Sequence, residues 1–226
     1  NNARRPFFVP LASASAALQR LAAAVAAKVP AVVVGPSGSG KTTLVKELAW
    51  RTGNTDLLEM HLDDQVDAKS LIGSYVCTEV PGEFRWMPGA LTNAVATGQW
   101  VLIEDVDRVP FEVLAALLPL FDDREISVRG ELMTAHENFR IFATRTVAET
   151  GTEALKYPFG RGLTSIGRRW TPVPLTQPGP QELAALVEES VARGLGGAHP
   201  LQRLHPLLVA GVLEAFRVLC REVAAE

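Results

Sequence analysis

Cysteine is scarce in this chain: Cys77 and Cys220 are the only two among 226 residues. Two thiols build no disulfide framework and no four-cysteine zinc site, so a reducing compartment is the default expectation. Long apolar runs are missing as well. Charge or proline interrupts each one well before the roughly 20 residues of a membrane span. No single sign of charge dominates, the net charge being −3. There is thus no global basic field to draw in nucleic acid, and sequence-specific nucleic-acid binding is not expected, although a local basic patch stays open. The opening Asn1-Asn2-Ala3-Arg4-Arg5 has neither an initiator Met nor a signal-peptide core. With a helical pattern running to Glu226 without a stop signal, this leads us to expect a piece of a longer polypeptide.

What is present is ordinary globular composition, 47% hydrophobic and 21% charged, which excludes a disordered or fibrous chain. The length fits one large domain with a small appendage. Residues 13–28 read as an alanine-rich helix with Ser13 as N-cap and Leu18, Leu21 and Val25 on one face. A β-branched run over 30–34 reads as a buried strand, 41–51 as a helix closed by Gly53, and 57–62 as a second strand. Residues 63–90 read as an insert holding a helix and a loop or hairpin. A short helix follows over 90–96, a buried strand over 100–103, a helix over 110–121, a hairpin turning at Arg129-Gly130 and a strand over 139–143. Residues 171–175 suit a proline-damaged edge strand. Beyond Pro180 the pattern is purely helical. Leu183, Leu186, Val187 and Val191 share one stripe; Leu208, Val212, Phe216, Leu219 and Val223 share another. Strands alternating with helices predict an α/β fold with a parallel sheet covered on both faces, over residues 1–176. The late helices predict a smaller helical unit over 177–226.

The strongest chemical signal is the string GPSGSGKT at residues 35–42, which fits G-x-x-x-x-G-K-[ST] between a strand and a helix. Gly35 and Gly40 are expected to take backbone conformations that other residues resist. The loop's N–H groups then cradle phosphates at a helix N-terminus. The expected binding set is Gly35, Pro36, Ser37, Gly38, Ser39, Gly40, Lys41, Thr42 and Thr43. Lys41 would place its charge on the β- and γ-phosphates of ATP or ADP, and the Thr42 hydroxyl would serve Mg²⁺.

A second signal is the strand end Val101-Leu102-Ile103-Glu104-Asp105. A P-loop ATPase needs one acid for the metal's shell and one to orient the attacking water. The usual order is Asp then Glu. Here Glu104 stands in the metal position and Asp105 in the water-orienting position. Thr144, at the end of the strand over 139–143, could touch that water or the γ-phosphate; Arg145 follows where such enzymes usually have Asn. Arg168 and Arg169, before Trp170, are candidates for an arginine that completes a neighbour's active site. Spacing does not choose between them. His61, His136, His199 and His205 lack metal-ligand spacing, and His61 beside Asp63-Asp64 reads as a strand-end hydrogen bonder. Phe84 and Trp86 read as packing within the insert, with an aromatic contact site as the alternative.

Taken together, the P-loop, the acidic strand tip, Thr144 and the late helices resemble an AAA+ ATPase module. The strings His61-Leu62-Asp63-Asp64-Gln65, Leu71-Ile72-Gly73, Pro81 through Leu91 and Gly98 through Asp107 narrow the resemblance to the midasin family, dynein-related ATPases with six AAA+ modules in one chain. More distantly the chain is similar to the MoxR-type AAA+ ATPases. The resemblance runs from about Phe8 to Leu175, and the reversed acid pair is similar to midasin modules. Arg145 and the region Gly167-Arg168-Arg169-Trp170 look most like the first module of such a ring.

This resemblance implies a nuclear Mg-ATP-binding ring module with neighbouring modules as partners, acting to release assembly factors from large-subunit ribosome precursors. A cytoplasmic place follows if the MoxR-type likeness is the nearer one. It also implies a helical lid over 177–226, shorter than usual, in which no arginine is assigned. Arg145 departs from the pattern at the nucleotide-sensing position. Two functional classes stay open: a hydrolysing motor module, favoured by Lys41, Thr42, Glu104 and Asp105, and a nucleotide-stapled structural module, favoured by Arg145 and the reversed acids. A free-standing MoxR-type chaperone is a third.

Overall fold

A computed structural model describes residues 5–62, 68–79, 82–148, 152–157, 159, 168–195, 207, 210–212 and 214–215. The chain divides into two compact units. One comprises Asn1–Phe8 and Ala16–Thr176, the other Val9–Ser15 and Gln177–Glu226. The short segment Val9–Ser15 therefore groups with the second unit, although sequence reading placed all of 1–176 together.

The first unit is built on five parallel strands. They are β1 (Ala31–Gly35), β2 (Leu58–His61), β5 (Val101–Glu104), β8 (Ile141–Thr146) and β9 (Thr171–Pro174), in the order β2-β5-β8-β1-β9. Every side chain of β1 is buried, as are Val101, Leu102 and Ile103 of β5. A parallel strand covered on both faces reads as an unbroken apolar run, which is why these segments are legible in sequence. β9 takes the sheet edge next to β1. Its Pro172 and Pro174 supply no N–H, a loss tolerated only where one side of the strand is unpaired.

Among the described residues, the α-helices of this unit are α1 (Ala12–Ala26), which starts in the second unit, α2 (Lys41–Arg51), α3 (Ala68–Ile72), α4 (Ala90–Thr97), α5 (Phe111–Asp122) and α6 (Thr152–Lys156). Leu18 and Leu21 of α1, Leu44, Val45 and Leu48 of α2, Leu91 and Val95 of α4, and Leu114 and Leu117 of α5 are buried at three- and four-residue spacings. The 63–90 insert contains α3 and an antiparallel hairpin, β3 (Gly73–Cys77) with β4 (Phe84–Pro88). A second hairpin pairs β6 (Glu125–Val128) with β7 (Glu131–Thr134). Its turn residues Arg129 and Gly130 both have positive φ, 56° and 85°, as a tight two-residue hairpin loop demands. In the insert, Trp86 meets Tyr75 edge-on at 5.3 Å, which is packing as expected. Phe84, by contrast, is 66% exposed and packs no core.

In the second unit, α7 (Pro180–Leu195) presents Leu183, Leu186 and Val187 half-buried. Ser13 does not cap α1. It lies inside the helix, and its N–H and hydroxyl both donate to the Glu182 carboxylate, at 3.0 Å and 2.9–3.0 Å. The cap is thus a carboxylate from a sequence-distant helix, stabilised by the donors of a helix N-terminus. These donors hold the Glu182 carboxyl below the usual carboxylate range, the Ser13 N–H contributing most. The apolar stripe at Leu208, Phe216, Leu219 and Val223 lies outside the described residues, as do Asp63, Asp64, His199, His205, Gly167 and Cys220.

Candidate nucleotide site

β1 delivers the chain into the loop 35–40, and α2 leaves it at Lys41. The loop's glycines serve two different ends. Gly38 and Gly40 have φ of 72° and 90°, and a Cβ at either would meet nothing within 4 Å; they are there for conformation. Gly35 is different from expectation. Its φ is not positive; instead a Cβ would lie 2.2 Å from the Leu175 carbonyl oxygen. It is glycine because the chain following β9 passes too close, with Leu175 N–H donating to the Val34 carbonyl at 2.8 Å.

Lys41 is buried at 9% exposure, and its ammonium donates to the carbonyls of Pro36 at 2.8 Å and Gly35 at 3.2 Å. Burial pulls its pKa below the ordinary lysine value, opposed by the negative charges of Asp105, Asp107 and Glu104. A buried ammonium near three carboxylates, in a glycine-rich loop at a helix N-terminus, is arranged for charge exchange with an anion. The Ser39 hydroxyl closes the loop internally by donating to Pro36 O at 2.9 Å.

Glu104 ends β5 beside the loop. The Thr42 hydroxyl donates to its Oε1 at 2.9 Å, and His61 Nδ1 stands 3.7 Å from its Oε2. His61 is therefore at a strand end facing an acid, but beyond hydrogen-bond distance from it. Thr42 and Glu104 together offer hard oxygen donors, the kind Mg²⁺ takes alongside phosphate oxygens and water rather than within an all-protein cage. The donor set fits that ion. The extra methylene of Glu, compared with Asp, does not prevent contact with the hydroxyl.

Asp105 takes a left-handed backbone, φ 46°, a conformation that Asp tolerates better than most residues. Two threonines hold it there. Its N–H donates to Thr144 Oγ1 at 3.1 Å, and its Oδ1 accepts from Thr146 Oγ1 at 2.8 Å. Thr144 was expected at a strand end; β8 in fact continues to Thr146, so Thr144 is buried at 2% and grips the Asp105 backbone. The residue on the carboxylate is Thr146, which sequence reading missed. The available signal was period two: Thr144 and Thr146 share a face, and a strand two residues longer brings both to the neighbouring acid. Arg145 points the other way and donates from Nη1 to the Tyr157 carbonyl.

Arg168 and Arg169 are both exposed beside Trp170, which is buried with Phe121 and Phe159 edge-on at 5.1 and 5.0 Å. Arg169 Nε pairs with Asp122 Oδ1 at 3.3 Å, whereas Arg168 makes no ion pair among the described residues.

Against known families, a profile described as AAA domain (dynein-related subfamily) matches residues 30–161, more than half of the chain. The chain belongs to the dynein-related subfamily of AAA domains. This AAA domain is 47% identical over 132 residues to midasin of Dictyostelium discoideum, a match covering 58% of this chain and 2% of that protein. It is 34% identical over 142 residues to protein NorQ of Paracoccus denitrificans, covering 62% and 50%. A crystal structure from Cytophaga hutchinsonii shares its fold, with TM-score 0.55 and 18% identity over 79% of this chain and 51% of that one. The chain spans a small fraction of midasin and half of NorQ. It is an AAA+ module related to midasin and the MoxR-type ATPases, and membership implies nucleotide binding, generally with ATPase activity. No described helix is long and apolar enough to cross a membrane.

Proposed function

We propose that this AAA domain is the Mg-ATP-binding module of a midasin-like ring ATPase that remodels large-subunit ribosome precursors in the nucleus by releasing assembly factors. The observation that carries the nucleotide part is the contact of Thr42 Oγ1 with Glu104 beside the buried Lys41. Kinship with midasin supports the ring and its cargo.

In this reading phosphate oxygens replace the Gly35 and Pro36 carbonyls around the Lys41 ammonium. Thr42 and Glu104 would hold Mg²⁺ through its shell, and the ion would supply charge neutralisation to the phosphates. Asp105 orients and deprotonates the attacking water. Thr146 fixes the direction of that carboxylate, and Thr144 fixes its backbone. Asp is one methylene shorter than the usual Glu, leaving the carboxylate about 1 Å or more from the ideal place, and an error of that size costs roughly 10²-fold. Binding is therefore preserved while turnover is slow. Arg168 or Arg169 acts on the nucleotide of an adjoining module.

A nucleotide-stapled structural module is the second reading, favoured by Arg145, whose side chain is spent on the Tyr157 carbonyl rather than on nucleotide sensing. A free-standing MoxR-type chaperone is the third, supported by the NorQ match. Calorimetry of Lys41→Ala tests the site: nucleotide affinity should fall by about 10–100-fold, the worth of a charge-assisted hydrogen bond. Unchanged affinity would sink the assignment.

A further inference from the structure

The parallel strands have two ends, and the P-loop uses only one. At the other, where β1 and β8 begin, a cavity of about 250 Å³ is open between the chain before β1, the end of α5 and the approach to β8. Among the described residues, four cationic ones line it, Lys28, Arg124, Arg140 and Arg169, against one carboxylate, Asp122. Pro30, Phe121 and Ile141 contribute apolar wall.

The Arg124 and Arg140 guanidinium groups are held in place by backbone carbonyls, with no carboxylate partner among the described residues. Arg124 donates from Nη2 to His136 O at 2.9 Å and to Phe139 O at 3.3 Å. Arg140 donates from Nη1 to Glu137 O and Phe139 O, both at 2.7 Å, and from Nε to Val25 O at 3.1 Å. Carbonyl oxygens satisfy hydrogen bonds but carry no net charge, so the positive potential stays. Burial, and then the Arg124 charge, pull the Arg140 pKa below its ordinary value. Asp122 is engaged with Arg169, and Lys28 has no carboxylate partner among the described residues. Lys28 and Arg124 also have left-handed backbones, φ 58° and 59°, a conformation rare outside glycine and often kept at functional sites. The Arg124 and Arg140 side chains, already fixed by the fold, lose little rotamer freedom when an anion arrives, whereas the exposed Lys28 and Arg169 close on it from the rim.

We propose that this cavity is a second anion site, which takes an oligophosphate through Lys28, Arg124, Arg140 and Arg169 at the end of the sheet opposite the P-loop. A group of several negative charges matches the excess of cations, and Arg forks suit phosphate oxygens. Its volume of about 250 Å³ far exceeds the roughly 10–15 Å³ that a single water needs on the same measure, which leaves room for a group of several heavy atoms.

The test titrates inorganic tripolyphosphate into the ADP-saturated chain at physiological salt, read by amide NMR shifts at Lys28, Arg124, Arg140 and Arg169. Saturable shifts there are expected, without displacement of ADP. Lys28→Gln with Arg169→Gln, both on exposed side chains, should weaken them by about 10-fold or more, and Asp122→Asn should tighten binding. ATP titrated in parallel separates the two sources: a tighter response than tripolyphosphate identifies the tail of a nucleotide, a weaker one a free oligophosphate. Absence of shifts with both ligands, shifts untouched by the Lys28/Arg169 variant, or a response to a polyglutamate peptide alone each overturns the proposal. Failure of ADP to saturate the P-loop would count against the nucleotide site and leave this site standing.

Discussion

The two ends of one sheet are opposite in charge. Where the strands finish, Glu104, Asp105 and Asp107 face a single buried lysine; where they start, four cations face a single aspartate. Both ends carry phosphate chemistry in our reading, but with different partners. In that reading the acidic end takes a polyphosphate together with a divalent cation, held by Thr42 and Glu104. The basic end has charge to spare and needs no metal. The same β1 strand, only five residues or about 16 Å long, separates them.

The sharpest way to break the comparison is to remove an arginine near the basic end and read the acidic end of an adjoining module. In an assembled ring, Arg168→Ala is expected to lower the neighbouring site's turnover by about 10³–10⁵, the range for an arginine finger. Arg169→Ala should cost less, because Arg169 is tied to Asp122. ATPase assays of the two variants decide between them, and equal small losses would remove both from the role. For the same reason the isolated chain should hydrolyse almost nothing; brisk turnover by a demonstrated monomer contradicts it.

At the acidic end itself, Asp105→Asn should leave nucleotide affinity intact and reduce an already slow turnover by roughly another 10²-fold, whereas Asp105→Glu should maintain or raise it. Thr146→Val should lower kcat by about 10-fold with KM unchanged, because it removes the hydroxyl that aims the carboxylate. Single-turnover hydrolysis beside equilibrium binding separates these effects. Unaltered turnover in Asp105→Asn hands the site to the structural-module reading.

Gly35→Ala probes the loop from beneath. Its Cβ would sit 2.2 Å from the Leu175 carbonyl, backbone that cannot swing aside, so about 1–3 kcal/mol of stability should be lost in denaturant melts. Gly38→Ala meets no clash and should cost only the strain of a positive φ, about 1 kcal/mol.

The smallest effect lies in the second unit. Glu182 has a folded-state pKa below the ordinary carboxylate value of about 4.3. Its contribution is therefore present above that ordinary value and is lost as pH falls through the lowered one. Thermal melts of the wild-type chain should show this acid loss, and Glu182→Gln should flatten it. An identical acid profile in the variant would remove Glu182 from the capping role.

Much of the α/β unit was legible because its signals are local. β1 and β5 are unbroken apolar runs, and α2 begins and ends at Lys41 and Arg51 as its glycines announce. Thr146 escaped because the apolar run stops at Ala143 while the strand's hydrogen bonding to β1 continues to Gly35 and Thr146. Glu182 on Ser13 escaped because a cap supplied from 169 residues away leaves no trace in the local sequence.

By itself, then, the sequence determined the parallel α/β architecture, the P-loop and the two acids at a strand tip, since spacing along the chain is all that apolar periodicity and a glycine-rich phosphate loop require. Only the tertiary structure decided the rest. It set Thr146 on Asp105, placed the Leu175 carbonyl where only a glycine fits at position 35, and gathered Lys28, Arg124, Arg140 and Arg169 from four distant segments into one cavity. The physical reason is the same in each case: hydrogen bonds, close contacts and summed charge depend on distance in space, and strand order β2-β5-β8-β1-β9 brings together residues that the chain keeps far apart.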